Sequence, residues 1–157
     1  MGRRNALAKE IKQAKPFSSV AEEAGLNIMK TAAFLEQSVE RALKPHGISA
    51  TQYNALRILR GAGPAGLSCQ EAASRMIRPE PDLTRLFDRI EARGLMLRER
   101  SEEDRRIVLV RITAQGKSLL ASVDGVMETL AQQLLGPLGK RKLQRIIDAC
   151  EEVRNPD

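Results

Sequence analysis

Apolar residues recur every three or four positions over most of this chain, as they do along one face of an α-helix. This spacing predicts a helix over residues 18–43, a second that runs from "KPHGIS" to "GAGPAG", and two more over 113–135 and 138–153. Ser49 and Thr51 are both suited to cap the second helix, because their hydroxyl groups accept exposed backbone amides. Helices therefore make up most of the expected structure.

The middle of the chain carries two shorter helices and a hairpin. Ser68, followed three residues later by Glu71, is the capping-box signature of a short third helix. A fourth helix begins near "DLTRL" and ends before Gly94. Its apolar face consists of Leu83, Leu86, Phe87 and Ile90. "LMLRER" and the alternating "IVLVRIT" then predict two strands, and the connection "SEEDRR" gives their hairpin a charged tip.

The order of these elements predicts the fold class. Helix, helix, short helix, turn, helix and hairpin is the order of a winged helix-turn-helix, in which the second helix of the pair enters the major groove of DNA. We therefore predict a mostly α (α+β) fold with a small β-hairpin wing and long helices at both ends.

Charge is distributed unevenly along the chain. The net charge of +6 consists of +4 in residues 1–16, +1 in 17–67, +1 in 68–116 and zero in 117–157. The third segment nevertheless contains ten arginines and no lysine. Arginine forks onto phosphates and guanine edges more selectively than lysine, which favours DNA as the partner. Nine acids share that segment, so a salt-bridged surface in water is the alternative.

Several classes of function find little support. Aromatic residues make up 3% of the chain, too few for the stacking platforms of single-stranded nucleic acid binders. Cys69, Cys150 and His46 form no ligand-spaced cluster, so no metal and no other cofactor is expected. One histidine and no Gly-rich phosphate loop predict no catalytic residues, and hence no enzyme. The chain lacks a signal-like or membrane-spanning apolar run, which predicts a cytoplasmic protein without a membrane partner.

Residues 82–120, "DLTRLFDRIEARGLMLRERSEEDRRIVLVRITAQGKSLL", resemble the most recognisable stretch of the MarR family, the multiple antibiotic resistance regulators. That family has "TRL.DRLE..GL" in its recognition helix and "D.R....(L/V).LT..G" in its wing. The matching residues are Thr84, Arg85, Leu86, Asp88, Arg89, Ile90, Glu91, Gly94, Leu95, Asp104, Arg106, Ile112, Thr113 and Gly116. The order of the elements extends the resemblance to about residues 18–153.

The resemblance implies a homodimeric bacterial transcription regulator, usually a repressor, that binds a pseudo-palindromic operator in double-stranded DNA. The family's dimer is built from the first helix and the last two helices. The implied organisation is a basic flexible arm over 1–17, a dimerisation helix over 18–48, a winged helix-turn-helix domain over 49–112 and dimerisation helices over 113–157. A winged helix that docks on another protein, without sequence-specific DNA binding, is the alternative.

DNA contacts are expected on the fourth helix and on the wing. The polar side of the helix, opposite its apolar face, presents Thr84, Arg85, Asp88 and Arg89. Arg85, one turn from the helix start, is the first candidate for a base or phosphate contact. Arg105 and Arg106 can reach a narrow minor groove from the wing. Asp104 is expected to orient an arginine, and the neighbouring acids Glu102 and Glu103 depart from the family pattern.

Three residues outside these two faces complete the predicted DNA-binding set. Asp82 caps the fourth helix or accepts a hydrogen bond from a cytosine amino group. Ser68 either caps its own helix or donates to a phosphate, and Arg78 precedes the fourth helix. For Arg89 and Arg93, the alternative to DNA contact is pairing with nearby acids.

The resemblance also implies that a small aromatic or amphipathic effector releases such proteins from DNA. A pocket is predicted near the junction of the first, second and fifth helices, lined by Met29, His46, Tyr53 and Arg57. A loop or capping role is the alternative for His46. The redox-sensing branch of the family uses a cysteine near the amino-terminal helix, which this chain lacks, so both cysteines are expected to be ordinary buried thiols.

Overall fold

The computed structural model describes residues 6–155 of the chain. Its helices are α1 (Ala6–Glu10), α2 (Val20–Leu43), α3 (Ala50–Ala62), α4 (Cys69–Ser74), α5 (Leu83–Ala92), α6 (Ala114–Leu135) and α7 (Lys140–Arg154). Its strands are β1 (Leu67–Ser68), β2 (Met96–Arg100) and β3 (Val108–Ile112). The predicted mostly α winged helix-turn-helix is confirmed. No helix in this described range is long and apolar enough to cross a membrane.

The chain divides into two compact units, the first ending at Val39 and the second beginning at Glu40. The sequence predicted a flexible arm over residues 1–17, but part of that segment is helical in the first unit. Its residues Ala6–Glu10 form a short helix in which Leu7 is buried. A run of helix formers that includes two alanines and a leucine explains this turn, although the charge pattern had suggested an irregular tail. The beginning of the predicted arm, residues 1–5, lies outside the described residues.

Helix α2 begins two residues later than predicted and ends at Leu43, the predicted end. Its start is capped by Ser19, whose hydroxyl oxygen accepts the backbone N–H of Glu22 at 3.1 Å. The chain then tightens into a 3₁₀ turn over Lys44–His46, because Pro45 follows and cannot donate to an α-helical hydrogen bond.

Helix α3 is fixed at its start by Ser49 and not by Thr51. The Ser49 hydroxyl accepts the backbone N–H of Gln52 at 3.1 Å, and the Gln52 side chain accepts the backbone N–H of Ser49 at 3.2 Å. This reciprocal capping box satisfies two amides that would otherwise lack partners.

The second unit has a single apolar core formed by helices and sheet together. Its fully buried large side chains are Leu43, Leu56, Leu59, Phe87, Ile90, Met96, Val110, Leu120 and Val123. These residues come from α2, α3, α5, α6 and both wing strands, so the recognition helix and the wing rest on the same core.

The sheet has three antiparallel strands in the order β1-β3-β2, one more than the predicted hairpin. Strand β1 pairs Leu67 with Val110 and Ser68 with Leu109. Two residues are too short to display an alternating pattern, so β1 could not be recognised from periodicity. Gly66 precedes it with φ +73°, and a Cβ atom there would lie 2.6 Å from Cγ of Arg111.

A close backbone contact joins the end of α5 to the start of α6. Gly94 ends α5, and the hydroxyl of Thr113 donates to its carbonyl oxygen at 2.6 Å while accepting the N–H of Gly116 at 3.0 Å. A Cβ atom on Gly116 would lie 2.1 Å from the carbonyl oxygen of Leu95. These four residues of the family pattern therefore have a structural role, which is to fix the recognition helix and the wing to α6.

Candidate nucleic-acid interface

Helix α5 separates its residues into a buried and an exposed side, as the sequence predicted. Leu86, Phe87 and Ile90 are buried, and Leu83 is half-buried. The exposed side carries Thr84, Arg85, Asp88 and Arg89. The packing of the apolar side on the core leaves this polar side available to a partner.

The first turn of α5 is organised by Asp82. One carboxylate oxygen, Oδ1, accepts the backbone N–H of Arg85 at 3.1 Å. The other, Oδ2, lies 3.0 Å from Nε of the Arg85 side chain, which is 76% exposed. Glu80 also faces this turn, where its Oε1 accepts the N–H of Asp82 at 3.4 Å. The acids before the helix thus complement its dipole and satisfy its amides, as the capping prediction required.

Asp88 lies against the wing and binds an arginine of strand β2. Nη1 of Arg98 is 2.7 Å from Asp88 Oδ1 and 2.7 Å from Glu91 Oε2. The backbone N–H of Arg98 donates to Glu91 at 3.0 Å, and its Nη2 donates to the carbonyl oxygen of Thr84 at 3.3 Å. One side chain therefore holds three residues of the recognition helix against the wing.

The environment keeps Arg98 charged. Partial burial opposes its charge, but the hydrogen bond and charge of Asp88 and the charge of Glu91 outweigh burial and raise the pKa of Arg98. Sequence reasoning did not select this arginine. Its position could have indicated this role: Arg98 lies two residues after the buried Met96, and alternate residues of a strand share a face.

The two remaining arginines of the recognition segment differ from each other. Nη1 of Arg93 donates to the carbonyl oxygen of Gly47 at 2.6 Å, so Arg93 joins α5 to the loop before α3. Among the described residues it does not pair with an acid. Arg89 is exposed and makes no ion pair within residues 6–155. It borders a cleft of about 290 Å³ whose lining is Ser49, Thr51, Gln52, Glu80, Asp82, Arg85, Leu86 and Arg89.

The wing tip is shaped by hydrogen bonds to its backbone. Asp104 Oδ1 accepts the backbone N–H of Arg106 at 2.9 Å, and the Ser101 hydroxyl accepts the N–H groups of Glu103 and Asp104 at 3.3 and 3.4 Å. Asp104 therefore binds the main chain of Arg106, in keeping with the expectation that it orients an arginine. The side chains of Arg105 and Arg106 are exposed, and the described part of the chain offers neither an ion pair.

Ser68 and Arg78 occupy the other helix of the motif and the turn after it. The Ser68 hydroxyl accepts the backbone N–H of Glu71 at 3.1 Å and so caps α4. The Glu71 side chain pairs with Arg75, which leaves the predicted capping box half formed. Arg78 is exposed in the turn before α5, and that turn is attached to α3 where the N–H of Ile77 donates to the Asn54 side chain at 3.0 Å.

The four residues predicted to line an effector pocket have different environments. Met29 belongs to the first unit and is 69% exposed, whereas His46 is half-buried in the 3₁₀ turn. Tyr53 is only 8% exposed, and the guanidinium of Arg57 lies 5.7 Å from its ring centre. A cation–π contact thus already occupies one face of the tyrosine. A second cleft, of about 380 Å³, is lined by Glu40, Arg41, Lys44, Gly47, Ile48 and Ser49.

The thiols and possible metal ligands form no further site among residues 6–155. Cys69 and Cys150 are unpaired and half-buried, so they are more accessible than the buried thiols that were expected. No group of three or more His, Cys, Asp or Glu side chains there is arranged to hold a metal ion.

Comparison with known proteins identifies the family to which this winged helix belongs. The profile of the MarR family matches residues 48–108, from two residues before α3 to the first residue of β3. A solved MarR transcription factor from Planctomyces limnophilus is 35% identical, with a TM-score of 0.66. The alignment covers 87% of this chain and 98% of that one. The chain belongs to the MarR family. It is a DNA-binding transcription regulator and not an enzyme.

Other proteins resemble the chain at lower identity, in fold or in sequence. CouR bound to a 23-mer DNA duplex is 22% identical, with a TM-score of 0.78 over 91% of this chain and all of that one. CouR from Rhodococcus jostii RHA1 has also been solved with p-coumaroyl-CoA, at 19% identity and a TM-score of 0.77 over 90% and 98% of the two chains. The HTH-type transcriptional regulator YkoM of Bacillus subtilis is 28% identical over 111 residues, or 68% of this chain and 71% of that one.

Proposed function

We propose that this MarR protein is a homodimeric repressor that binds a pseudo-palindromic operator. Helix α5 of each subunit enters one of two successive major grooves, and each wing lies along the flanking minor groove, so the half-sites are about one helical turn apart. The observation that carries this proposal is the exposed polar side of α5, which Arg98 fixes to the wing. The tip of that wing exposes Arg105 and Arg106, for which residues 6–155 offer no ion pair.

The structure groups the DNA contacts proposed from the sequence by the element that carries them. Arg85, Arg89 and Thr84 are proposed as groove contacts, and Arg105 and Arg106 as wing contacts. Ser68 caps the motif's first helix and Arg78 lies in the turn after that helix, so both are proposed as phosphate contacts. Asp82, Asp88 and Asp104 act on the protein side of the interface, because their carboxylates already bind backbone amides or arginines of this chain.

Binding to duplex libraries tests this function. Affinity for a duplex selected from a random pool should exceed affinity for an unselected duplex by about 10³-fold or more, and both should weaken linearly on a log-log plot against salt. A protein-docking winged helix would enrich no sequence and would show little salt dependence.

Dimerisation is supported by apolar surface on the terminal helices. Helix α7 exposes Ile146, Ile147 and Val153 on a side that none of the described residues covers, and α2 exposes Ile28, Met29 and Phe34. Large exposed apolar side chains at helical spacing are typical of an interface between copies. Sedimentation equilibrium should give twice the mass of the chain, and Ile147→Glu should shift the protein toward the monomer.

A response to a small ligand is a further part of the proposal. CouR has been solved with p-coumaroyl-CoA, and BpsR of Bordetella bronchiseptica is regulated in its DNA binding by 6-hydroxynicotinic acid. We propose an aromatic acid as effector, bound near His46, Tyr53 and Arg57 of the second unit, with Arg57 meeting its carboxylate. Aromatic acids should then raise the melting temperature of the wild type and not that of Arg57→Ala. A screen without any stabilising acid would contradict this part of the proposal.

A further inference from the structure

The acid at the start of α5 binds the same arginine at two points. Asp82 accepts the backbone N–H of Arg85 through Oδ1 at 3.1 Å and faces Nε of its side chain through Oδ2 at 3.0 Å. The first contact is a hydrogen bond that fixes the main chain of Arg85, and the second is an ion pair that keeps the guanidinium beside Asp82. Both are set by one carboxylate on the residue that caps the helix.

This arrangement leaves the far end of the guanidinium available. Arginine has five N–H donors, and the ion pair with Asp82 lies on the Nε side of the guanidinium. Within the described residues Nη1 and Nη2 of Arg85 have no hydrogen-bond acceptor, and the side chain is 76% exposed. The fork of two N–H groups on the exposed polar side of α5 is therefore prepared for an acceptor pair.

The chemistry of the fork selects among possible partners. Guanine presents two acceptors, O6 and N7, at its major-groove edge, and they match the spacing of the two terminal nitrogens. Adenine presents one acceptor and one donor there, so it opposes one arm of the fork. A phosphate also offers paired acceptors, but it would have to approach beside the negative charge of Asp82.

We propose that Asp82 is a positioning residue that makes Arg85 a reader of guanine, and that each half-site of the operator therefore contains a required guanine opposite the start of α5. The inference rests on the proposed function and sharpens it. It also replaces direct reading of cytosine by Asp82, because both carboxylate oxygens are engaged with Arg85. In water the exposed pair contributes little to stability, and its effect is to restrict the arginine before DNA is bound.

The test uses the full chain and duplexes that it selects from a random pool. Each guanine of the selected duplex is replaced in turn by 7-deazaguanine, which lacks N7, and by inosine, which keeps N7 and O6 but lacks the minor-groove amino group. Three variants are compared with the wild type: Arg85→Ala, Asp82→Asn and Glu80→Gln. The asparagine retains an oxygen to cap α5, and Glu80→Gln removes a neighbouring charge that does not bind the Arg85 side chain.

One guanine per half-site should respond in a defined way. There 7-deazaguanine should weaken wild-type binding by about 5- to 150-fold while inosine has little effect, which is the range of one bidentate contact. The same replacement should cost Arg85→Ala almost nothing. Asp82→Asn should lose most of the discrimination between guanine and adenine at that position, and its melting temperature should be unchanged. Glu80→Gln should discriminate between the two bases as the wild type does.

The possible failures can be told apart. If no duplex is enriched from the pool, the proposed function is wrong and this inference falls with it. If a duplex is enriched but no 7-deazaguanine position depends on Arg85, then the arginine does not read guanine. If such a position exists and Asp82→Asn discriminates as well as the wild type, then Asp82 does not position the reader. Either of the last two results overturns the inference while leaving the regulator intact.

Discussion

The recognition helix and the wing tip are both rich in arginine, but their charges are arranged differently. On α5 the acids bind arginines of this chain, with Asp82 holding Arg85 and Asp88 holding Arg98. At the wing tip Asp104 binds a backbone amide, and the side chains of Arg105 and Arg106 are left without an acid within residues 6–155. The difference suggests a division of labour, in which the helix contributes fixed geometry and the wing contributes charge.

The largest expected effect comes from breaking the support that both regions share. Gly116→Ala would place a Cβ atom 2.1 Å from the carbonyl oxygen of Leu95, where the start of α6 meets the end of α5. Because a backbone atom must move, we expect a loss of about 3 kcal/mol in the free energy of unfolding, measured with urea.

Gly61→Ala is the matched control for this change. Gly61 is also helical, and a Cβ atom there has no other atom within 4 Å. Alanine should therefore stabilise α3 by about 0.5 to 1 kcal/mol through its higher helix propensity. Equal effects of the two substitutions would contradict the close packing at Gly116.

Removing the link between the two regions should have an intermediate effect. Arg98→Ala leaves Asp88 and Glu91 without their shared partner, which we expect to cost about 1 to 2 kcal/mol of stability. Since α5 would then lose the arginine side chain that links it to the wing, discrimination between selected and unselected duplex should fall as well. Arg100→Ala, on the same strand with a single contact at 3.4 Å, should do neither.

The contrast between helix and wing could be predicted only in part from the sequence. The amphipathic face of α5, its cap and the polar wing tip follow from local periodicity and capping rules, and the structure bears them out. The ion pair between Asp88 and Arg98 could not be predicted in this way, because Arg98 lies ten residues away and is brought near by the turn at Gly94. Capping explained why an acid precedes α5, but its second contact with the Arg85 side chain depends on a rotamer that no spacing rule specifies.

The smallest effect on stability is expected from breaking a salt bridge that lies outside both regions. Arg60 on α3 binds Asp124 on α6 at 2.7 and 3.1 Å, and this hydrogen bond lowers the pKa of Asp124. A lowered folded pKa means that the contribution is present above the unfolded value and is lost as pH falls through the folded value. Asp124→Asn should cost about 0.2 to 1 kcal/mol near pH 7 and less near pH 3, because both side chains are partly exposed.

DNA binding provides the control for this substitution. Asp124→Asn should bind selected and unselected duplex as the wild type does, since the pair lies away from α5 and the wing tip. A change in its sequence discrimination would show that the division between helix and wing is not confined to those two elements.

The division itself is tested most directly by the salt dependence of Arg85→Ala and Arg106→Ala on two duplexes, one selected and one unselected. We expect Arg106→Ala to weaken both by a similar factor and to lower the salt slope by about one for each bound wing. Arg85→Ala should weaken the selected duplex by about 1 to 3 kcal/mol and the unselected one little. If Arg106→Ala instead affects only the selected duplex while Arg85→Ala weakens both equally, the helix supplies the charge and the wing the specificity, and the account given above is wrong.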